Sequence, residues 1–510
     1  MMRTHRTRNK REPAKWLRDY RIMNLCGFMI ENMQKRINDV FEAFGGDKLP
    51  ILRRFKVFGS TDAALIYVEE LTDTEALNRD VLAPLMVDKD VKTKDIIKHI
   101  VDEVTPFASA VIQTDITQAV SFLLEGDAVV LVEGAEQYFT VASKMWSHRG
   151  VEEPPTSSVI RGPREGFTED MRTNISLMRR RLKTPDLTFD MIKVGKYSST
   201  SIAVTYIKGI ADESIIKELK KRINAINIDG ILDSSYIEAF LQDNRKTVFS
   251  QIGRTEKPDI ATGKLLEGRI CVMVDGSPSV LTLPYLFIES FQDVGDYYGL
   301  PARRNILRLL RAASFIIAVL LPGLYVATLL FHYDMLPTDF LLTIINARSG
   351  IPMNPMLELL VTMLLFEILQ EASIRMPRYI GSALSIVGAL ILGETAVKAG
   401  TISSPAVMIS AVSAITIYNV PEQSNIMNML RFVFTLLGGF MGFFGLIAGS
   451  VLLALHLLSL TSFSVPYMAP YAPLYENDKQ DALFIKPITQ RFMRPESIPT
   501  NNRVRMRHNK

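Results

Sequence analysis

The stretch Ala312–Phe331, AASFIIAVLLPGLYVATLLF, decides how the second half of the chain folds. A helix of about 20 apolar residues, rising ~1.5 Å per residue, is long enough to cross a hydrocarbon core of ~30 Å. Pro322 within the stretch indicates a kink that neighbouring helices can accommodate. The basic residues that precede it are Arg303, Arg304, Arg308 and Arg311. Because cytoplasmic flanks are rich in lysine and arginine, the preceding residues are predicted to lie in the cytoplasm.

Further apolar segments predict a polytopic α-helical membrane domain over residues 301–460, with four or five membrane segments. The additional segments are Met356–Ala372, Tyr379–Val397, Pro405–Val420 and Phe432–Leu460. Five full spans would leave the tail 461–510 outside, whereas the excess of basic over acidic residues in that tail favours the inside. We therefore predict that one of the short segments is re-entrant, which returns the tail to the inside.

The first 300 residues are predicted to form a soluble N-terminal domain of the α/β or α+β class with two subdomains. Strand-like runs and one amphipathic helix support this prediction. They are Ala63–Val68, Ala128–Val132, two runs around Gly195 within Thr188–Ile207, the helix Asp212–Ile226, and Arg269–Val274. Pro154-Pro155 indicates a boundary, so the subdomains are predicted at 51–153 and 154–300, after a basic tail and helix at 1–50.

The composition excludes several classes of function. With 510 residues the chain is too long for one compact core, and a net charge of +4 is too small to predict nucleic-acid binding. Cys26 and Cys271 lie far apart, without the spacing of a zinc site or a disulfide framework. We find no nucleophile motif and no phosphate-binding loop. The sequence therefore predicts no catalytic residue, no metal and no cofactor, and a protein that is not an enzyme.

Acidic residues within or beside the apolar segments are the candidate ion path. They are Glu358, Glu367, Glu371 and Glu394. A carboxylate in lipid costs a few kcal/mol, so it normally faces water or protein. Repeated around the axis of an oligomer, such carboxylates would form a ring that attracts cations. The alternative is that they pair with Arg375 or Arg378, or lie among lipid headgroups.

Two other motifs have structural as well as functional interpretations. The glycines Gly438, Gly442, Gly445 and Gly449 follow small-xxx-small spacing, which allows close helix packing within one protomer, between subunits, or at a gate. The loop Arg161–Phe167 contains Arg161, Gly162, Pro163, Glu165, Gly166 and Phe167. It lacks the spacing of a phosphate-binding loop, so we expect it to dock onto a neighbouring domain or subunit.

That loop also carries a resemblance to a known family. RGPREGF at 161–167, with Thr173-Asn174, Ser176-Leu177 and Arg179–Leu182, resembles the signature of the A subunits of GerA-type spore germinant receptors. Matches continue in order along the chain through Thr255–Asp259, Leu266–Arg269, Val274–Pro278, Asp296–Tyr298 and Glu367–Pro377. Departures from the family pattern occur at Lys257, Ser250, Gly295 and Ser157-Ser158.

The resemblance implies a multi-pass protein of the inner spore membrane with its N-terminal domain on the core side. It implies a ring-forming homo-oligomer that conducts ions when nutrients arrive. Its partners would be a transporter-like B subunit, a lipoprotein C subunit and the lipid bilayer. An accessory channel of the stage V AF type, which acts with the dipicolinate-release apparatus, is an alternative. A secondary transporter would need inverted repeats, and we find no convincing repeat.

Overall fold

The computed structural model describes residues 33–44, 50–88, 95–105, 110–143, 162–299, 301–375 and 391–506. The predicted boundary at Pro154-Pro155 lies outside these residues, as do Cys26, Arg161, Arg378 and most of the segment Tyr379–Val397. The subdomain limits therefore stay predictions.

The first lobe contains a five-stranded antiparallel sheet in the order β1-β2-β4-β5-β3. Its strands are β1 (Pro50–Val57), β2 (Thr61–Val68), β3 (Ala110–Gln113), β4 (Ala128–Val132) and β5 (Tyr138–Val141). Its helices are α1 (33–43), α2 (Thr74–Leu77, continued by the π-helical Asn78–Leu82 and by Ala83–Leu85), α3 (Ile96–His99, continued by Ile100–Val104) and α4 (Ala119–Leu124). Helices α1 and α4 cover one face of the sheet, and α2 and α3 cover the other.

The second lobe has the same architecture. Its strands are β6 (Leu187–Val194), β7 (Thr200–Ile207), β8 (Gly253–Thr255), β9 (Ile270–Val274) and β10 (Val280–Leu283). Its helices are α5 (Met171–Arg181), α6 (Glu213–Asn224), α7 (Ser234–Leu241) and α8 (Pro258–Leu266). The strand order β6-β7-β9-β10-β8 repeats that of the first lobe, and all pairs are antiparallel. Helices α5 and α8 pack on one face, and α6 and α7 pack on the other.

The two lobes are therefore an internal duplication, which our sequence analysis missed. Its trace in the sequence is LLEGDAVVLVEG at 123–134 against LLEGRICVMVDG at 265–276, each of which contains a central strand. Gly126 and Gly268 hold equivalent left-handed conformations, with φ of 92° and 98°. The predicted strands and the amphipathic helix are confirmed, and Asp212 caps that helix by accepting a hydrogen bond from the Ser214 amide at 2.8 Å. Because all strand pairs in both sheets are antiparallel, the N-terminal domain belongs to the α+β class and not to the α/β class.

The second half of the chain is helical. A short helix α9 (Gly295–Tyr298) leads into α10 (Pro301–Phe331), α11 (Thr338–Arg348), α12 (Pro355–Arg375), α13 (Ile391–Thr395, continued by Ala396–Lys398), α14 (Ser404–Ile417) and α15 (Ser424–Ser459). A two-stranded hairpin follows, with β11 at Thr461–Ser462 and β12 at Val465–Pro466. Short 3₁₀ turns lie at Ile116–Gln118, Phe287–Phe291, Tyr333–Met335, Pro421–Gln423, Asn477–Gln480 and Ile488–Gln490.

Only two helices among the described residues are long and apolar enough to cross a membrane. They are Arg303–Phe331, with 29 residues, and Pro421–Ser459, with 39. Helix α14 is apolar but shorter, and α12 carries Glu358, Glu367 and Glu371 along its length. A polytopic membrane domain therefore remains a prediction, and most of its additional segments are shorter or more polar than a typical span.

Helix α15 is broken at Gly442 and folds back on itself. Gly442 has φ 60° and ψ −144°, a conformation that only glycine adopts without strain. A Cβ atom placed on Gly445 would lie 2.5 Å from the carbonyl oxygen of Leu437. In a straight helix these residues, eight apart, would be separated by about 12 Å. The two arms, 424–441 and 443–459, therefore pack against each other as a helical hairpin, each about 26 Å long.

The helical hairpin formed by α15 brings the described part of the tail, residues 461–506, back to the two sheet-containing lobes, which we call the front lobes. At one end of α15, Nε2 of Gln423 donates to Oγ of Ser290 at 2.8 Å, and at the other end Oγ1 of Thr247 lies 2.8 Å from Nε2 of His456. The tail then bonds to the second lobe, where the Asn501 amide donates to the Ile210 carbonyl at 3.0 Å. The predicted re-entrant segment among the short apolar segments stays a prediction, because most of Tyr379–Val397 lies outside the described residues. The fold-back that the described residues do show lies in the long segment Phe432–Leu460, at Gly442.

Candidate functional site in the apolar helices

Helix α12, which carries three of the predicted carboxylates, runs antiparallel to the first arm of α15. Oγ1 of Thr435 lies 4.0 Å from Sδ of Met363, and one turn further along, Glu367 meets Arg431. Since α15 begins beside the front lobes, the C-terminal end of α12 points toward them. Val326 of α10 and Ala406 of α14 complete the packing on the buried face of α12.

Glu358 lies wholly inside this bundle, with none of its side chain exposed. Its Oε2 accepts a hydrogen bond from Nε of Arg348 at 3.1 Å, and its Oε1 accepts one from the amide of Ser403 at 2.6 Å. Ser403 is the N-cap of α14, so the carboxylate also faces the positive end of a helix dipole. Glu358 is thus paired within the protomer, with a partner that our sequence analysis did not name.

Glu367 joins α12 to the first arm of α15. Its Oε2 accepts from Arg431 at 2.7 Å, and its Oε1 accepts from the amide group of Asn428 at 3.1 Å. Arg431 is buried, while about a third of the Glu367 side chain is exposed. A pair with one buried member is costly to break, because the lone arginine would keep its charge in an apolar surrounding.

Glu371 and Glu394 are exposed in the single chain. Glu371 pairs with Arg375 at 2.7 Å, as one alternative interpretation predicted, and Glu394 pairs with Lys398 on α13. More than half of each carboxylate side chain is open to the surroundings. Both pairs join residues four apart on one helix, so they leave the outward face of each helix free to meet another molecule. The role of all four glutamates in an ion path stays a prediction.

Our sequence analysis missed an exposed stripe on α12, which we call the α12 stripe. It consists of Leu357, Val361, Leu364, Ile368 and Glu371. The spacing of three and four residues places these side chains on one helix face, opposite the buried Leu359 and Met363. The stripe is apolar along most of its length and acidic at the end near the front lobes. That spacing was visible in the sequence, but only the packing shows which face is open.

The four predicted glycines pack within the chain. A Cβ on Gly323 of α10 would lie 2.5 Å from the Phe434 carbonyl oxygen, and Gly438 faces Gly323 in return, so the backbones of α10 and α15 touch. Gly445 and Gly449 face the first arm of α15, and Gly442 makes the turn. The interpretation as packing within one protomer accounts for these contacts, and a gating role stays a prediction.

Residues 162–167, the described part of the predicted loop, are attached to their own lobe. Glu165 pairs with Arg181 at 2.7 Å, the Phe167 amide donates to the Glu256 carbonyl at 2.7 Å, and Phe167 and Gly166 are buried. Gly162, with φ 137°, lies against the ring of Tyr298. Nζ of Lys257 donates to the Pro163 carbonyl at 2.9 Å, so this departure from the family pattern forms an internal link. The described contacts are structural, and docking onto another subunit stays a prediction.

A buried ion-pair network joins the front lobes, α10 and the tail. Nε of Arg308 donates to Oδ2 of Asp296 at 2.9 Å, and NH1 donates to Oδ1 of Asp481 at 2.9 Å. Arg311 binds both oxygens of Asp296, and Arg491 pairs with Asp481 at 2.6 Å. Arg308 and Arg311, two of the four arginines whose position predicted the membrane orientation, therefore also form ion pairs that hold this junction together. Within the described part of the chain, no cluster of histidine, cysteine or acidic side chains has a geometry suited to a metal ion.

Comparison with known proteins supports the resemblance. The sequence profile of the family described as "Bacillus/Clostridium GerA spore germination protein" matches residues 35–497. Spore germination protein KA of Bacillus subtilis is 38% identical over 479 residues, which cover 93% of this chain and 88% of that protein. Spore germination protein GerLA of Bacillus cereus is 33% identical, with 94% and 98% covered. A B. subtilis protein named "Uncharacterized membrane protein YfkQ" is 34% identical, with 89% and 88% covered.

One solved structure is also similar, the crystal structure of the N-terminal domain of the A subunit of the Bacillus megaterium spore germinant receptor GerK3. It shares 32% sequence identity, covers 49% of this chain and 94% of that chain, and has a TM-score of 0.39. The family match extends from α1 to the tail and so includes both lobes and the helical half. On the extent and identity of these matches, the chain belongs to the GerA family of spore germination proteins.

Proposed function

We propose that this chain is the A subunit of a spore germinant receptor, and that several copies surround a cation path lined by the α12 stripe. The observation that carries this proposal is the stripe itself, an exposed apolar face that ends in Glu371 at the front-lobe end. Apolar constrictions close channels by excluding water, and rings of acidic side chains attract cations. If several copies surround a central axis, helix α12 of each copy would contribute to both the apolar constriction and the acidic ring.

The surroundings of the stripe support the proposal. The opposite face of α12 is held by Glu358–Arg348 and Glu367–Arg431. These pairs would keep the helix in place while the stripe faces a central path. An exposed carboxylate beside apolar helices is costly in lipid, and a water-filled path between copies would remove that cost.

The junction between the lobes and α10 suggests how the path would open. Arg308 ties the first apolar helix to Asp296 of the front lobes and to Asp481 of the tail. A movement of the lobes would therefore pull directly on α10, which touches α15 at Gly323 and Gly438. In this proposal the germinant is sensed by a transporter-like B subunit, a lipoprotein C subunit completes the receptor, and the front lobes face the spore core. The subunit spans the inner spore membrane several times and acts without a cofactor and without enzymatic activity.

Ion flux from liposomes tests the proposal. The full chain is reconstituted in vesicles loaded with K⁺, and release is followed with a K⁺-sensitive dye. Leu364→Asn is expected to raise the flux, because a polar side chain hydrates an apolar constriction. Adding Glu371→Gln to that variant is expected to reduce the preference for K⁺ over Cl⁻, because the ring loses its carboxylates while Arg375, which then has lost this ion-pair partner, keeps its positive charge.

Ile415→Asn is the matched control, because Ile415 is also an exposed apolar residue but lies on α14. It should leave the flux at the wild-type level. If Leu364→Asn and Ile415→Asn gave equal flux, or if neither gave any flux, the proposal that the α12 stripe lines the path would be wrong.

A further inference from the structure

A surface cleft of about 470 Å³ lies where the last turn of α15 meets the second lobe. Its lining residues are Arg222, Phe240, Gln242, Asp243, Arg245 and Ser464. Two contacts hold this part of the lobe against the helix end. Oγ1 of Thr461 donates to Oδ2 of Asp243 at 3.1 Å, and Thr247 bonds to His456. The cleft is therefore attached to the last turns of α15 through His456 and to strand β11 through Thr461.

One cation in the cleft is available to a ligand. The charge of Arg222 is already balanced by two ion pairs, with Asp243 at 2.6 Å and with Glu218 at 2.9 Å. Arg245 is exposed, stacks over the ring of Phe240 and donates to the Phe240 carbonyl at 3.3 Å. Among the residues that the structure describes, Arg245 forms no ion pair. Its guanidinium is thus held in position by an aromatic ring while its charge remains unbalanced.

The cleft lies next to an exposed apolar turn of α15. Leu455 and Leu458 of α15 are exposed apolar side chains, so the exposed apolar surface extends to within three residues of Thr461. The headgroup layer adds roughly 5–7 Å on each side of the hydrocarbon, which is the height of the next few residues. Val248, on the loop that also carries Arg245, is exposed as well.

We propose that this cleft binds the headgroup of an anionic phospholipid. The phosphate would lie against Arg245, the polar part of the headgroup would reach Gln242 and Ser464, and the acyl chains would run along Leu455, Leu458 and Val248. An arginine presents a planar fork of donors that suits phosphate oxygens. The proposal requires that α15 lies in a bilayer, but it is independent of whether the chain conducts ions.

Native mass spectrometry of the full chain in detergent tests the proposal. The probes are dihexanoyl phosphatidylglycerol, dihexanoyl phosphatidylcholine and inorganic phosphate. The wild-type chain is expected to bind phosphatidylglycerol in preference to phosphatidylcholine, and inorganic phosphate at the same concentration should not displace it. Arg245→Gln should weaken phosphatidylglycerol binding about fivefold, the usual effect of one basic residue at an anionic surface.

Arg245→Lys should bind phosphatidylglycerol more weakly than the wild type but more tightly than Arg245→Gln, because it keeps the positive charge and loses the planar fork. Arg79→Gln is the matched control, because Arg79 is exposed in the first lobe, far from the cleft in sequence, and pairs with Asp80. Its binding should equal that of the wild type. The proposal would be overturned by Arg245→Gln binding like the wild type, by equal binding of the two lipids, or by displacement with inorganic phosphate. That last outcome would indicate a site for free anions.

Discussion

The guanidinium of Arg308 donates a hydrogen bond from Nε to Oδ2 of Asp296 over 2.9 Å, and 0% and 1% of the two side chains are exposed. Arg308 belongs to the first apolar helix and Asp296 to the end of the front lobes, so this buried pair connects the two halves of the molecule. Buried charges persist only when they are paired and hydrogen-bonded. The junction is therefore a rigid contact by which the lobes can act on the helices.

Removing Arg308 should weaken this junction. Arg308→Gln is expected to lower the free energy of unfolding by about 3 kcal/mol, because it leaves two aspartates with fewer partners in a buried site. The loss stays near the low end of the usual range since Arg311 still binds Asp296. Unfolding of the detergent-solubilised chain, followed by circular dichroism, measures the change. Arg303→Gln is the control, because Arg303 is exposed and lies five residues earlier on the same helix. Equal losses in both variants would contradict the assignment.

The junction should also weaken in acid. Burial by itself would raise the pKa of Asp296, but hydrogen bonds from Arg311 and Arg308 bring that pKa below its ordinary value. A carboxylate with a lowered pKa contributes stability that is present above its unfolded pKa of about 4 and is lost as the pH falls toward the folded pKa. The difference in melting temperature between the wild type and Asp296→Asn should thus be constant from pH 7 to about pH 5 and shrink below about pH 4. If the difference in melting temperature between the two proteins were the same at pH 3 as at pH 7, this prediction would be wrong.

The fold-back of α15 can be tested by cross-linking. A Cβ on Gly449 would lie 2.7 Å from Cδ1 of Leu437, whereas in a straight helix the two residues would be about 18 Å apart. With Cys26 and Cys271 replaced by serine, Leu437→Cys combined with Gly449→Cys should form a disulfide under mild oxidation. The pair Leu437→Cys and Leu455→Cys is the control and should stay reduced. A mobility shift on non-reducing gels reports the result, and a pattern with only the control pair bridged would rule out the hairpin.

The contact between α10 and α15 predicts opposite effects for two glycine substitutions. Gly438→Ala places a methyl group against the backbone of Gly323 and should destabilise the protein by about 1–3 kcal/mol. Gly263→Ala, on α8, meets open space and should stabilise its helix by about 0.5–1 kcal/mol. Melting temperatures of the two variants should therefore move in opposite directions. A gain in stability from Gly438→Ala would show that the two helices are further apart.

The turn after α15 carries backbone strain that glycine would relieve. Phe463 and Ser464 have φ of 49° and 66°, in the left-handed region, where a side chain costs roughly 1–2 kcal/mol. Phe463 is fixed there because its ring lies in the core of the second lobe. Ser464→Gly should raise the free energy of unfolding by about 0.5–1 kcal/mol, part of the relief being offset by the freedom of glycine in the unfolded chain. Ser450→Gly, in the interior of the second arm of α15, should lower it by about 0.5–1 kcal/mol, and the same sign for both would contradict the strain.

Local pattern predicted much of the front domain. The run Ala128–Val132 is a strand with the predicted bounds, and Asp212–Ile226 is a helix because its apolar residues recur at helical spacing behind a capping aspartate. The duplication of the lobes was also readable, from the two LLEG segments at 123–126 and 265–268.

The candidate site depended more on packing. The spacing of Glu358, Glu367 and Glu371 showed which residues share a helix face, but not which face is covered. Glu358 is buried because Arg348 and the start of α14 meet it, and these partners come from elements that no local pattern connects to α12. The same holds for the arginines at the start of α10, which precede its apolar stretch. Charge bias describes a flank but does not reveal a buried partner such as Asp296.

By itself, the sequence determined the apolar helices, the strands, the capped helix and the family, because each depends on residues close together in the chain or on ordered motifs. The tertiary structure alone decided that α15 turns back at Gly442, that the tail therefore lies against the second lobe, and that one face of α12 stays open. Those outcomes depend on contacts between residues far apart in the chain. The burial of a charge or the close approach of two backbones is determined by the path of the whole chain, which hydrophobic periodicity does not encode.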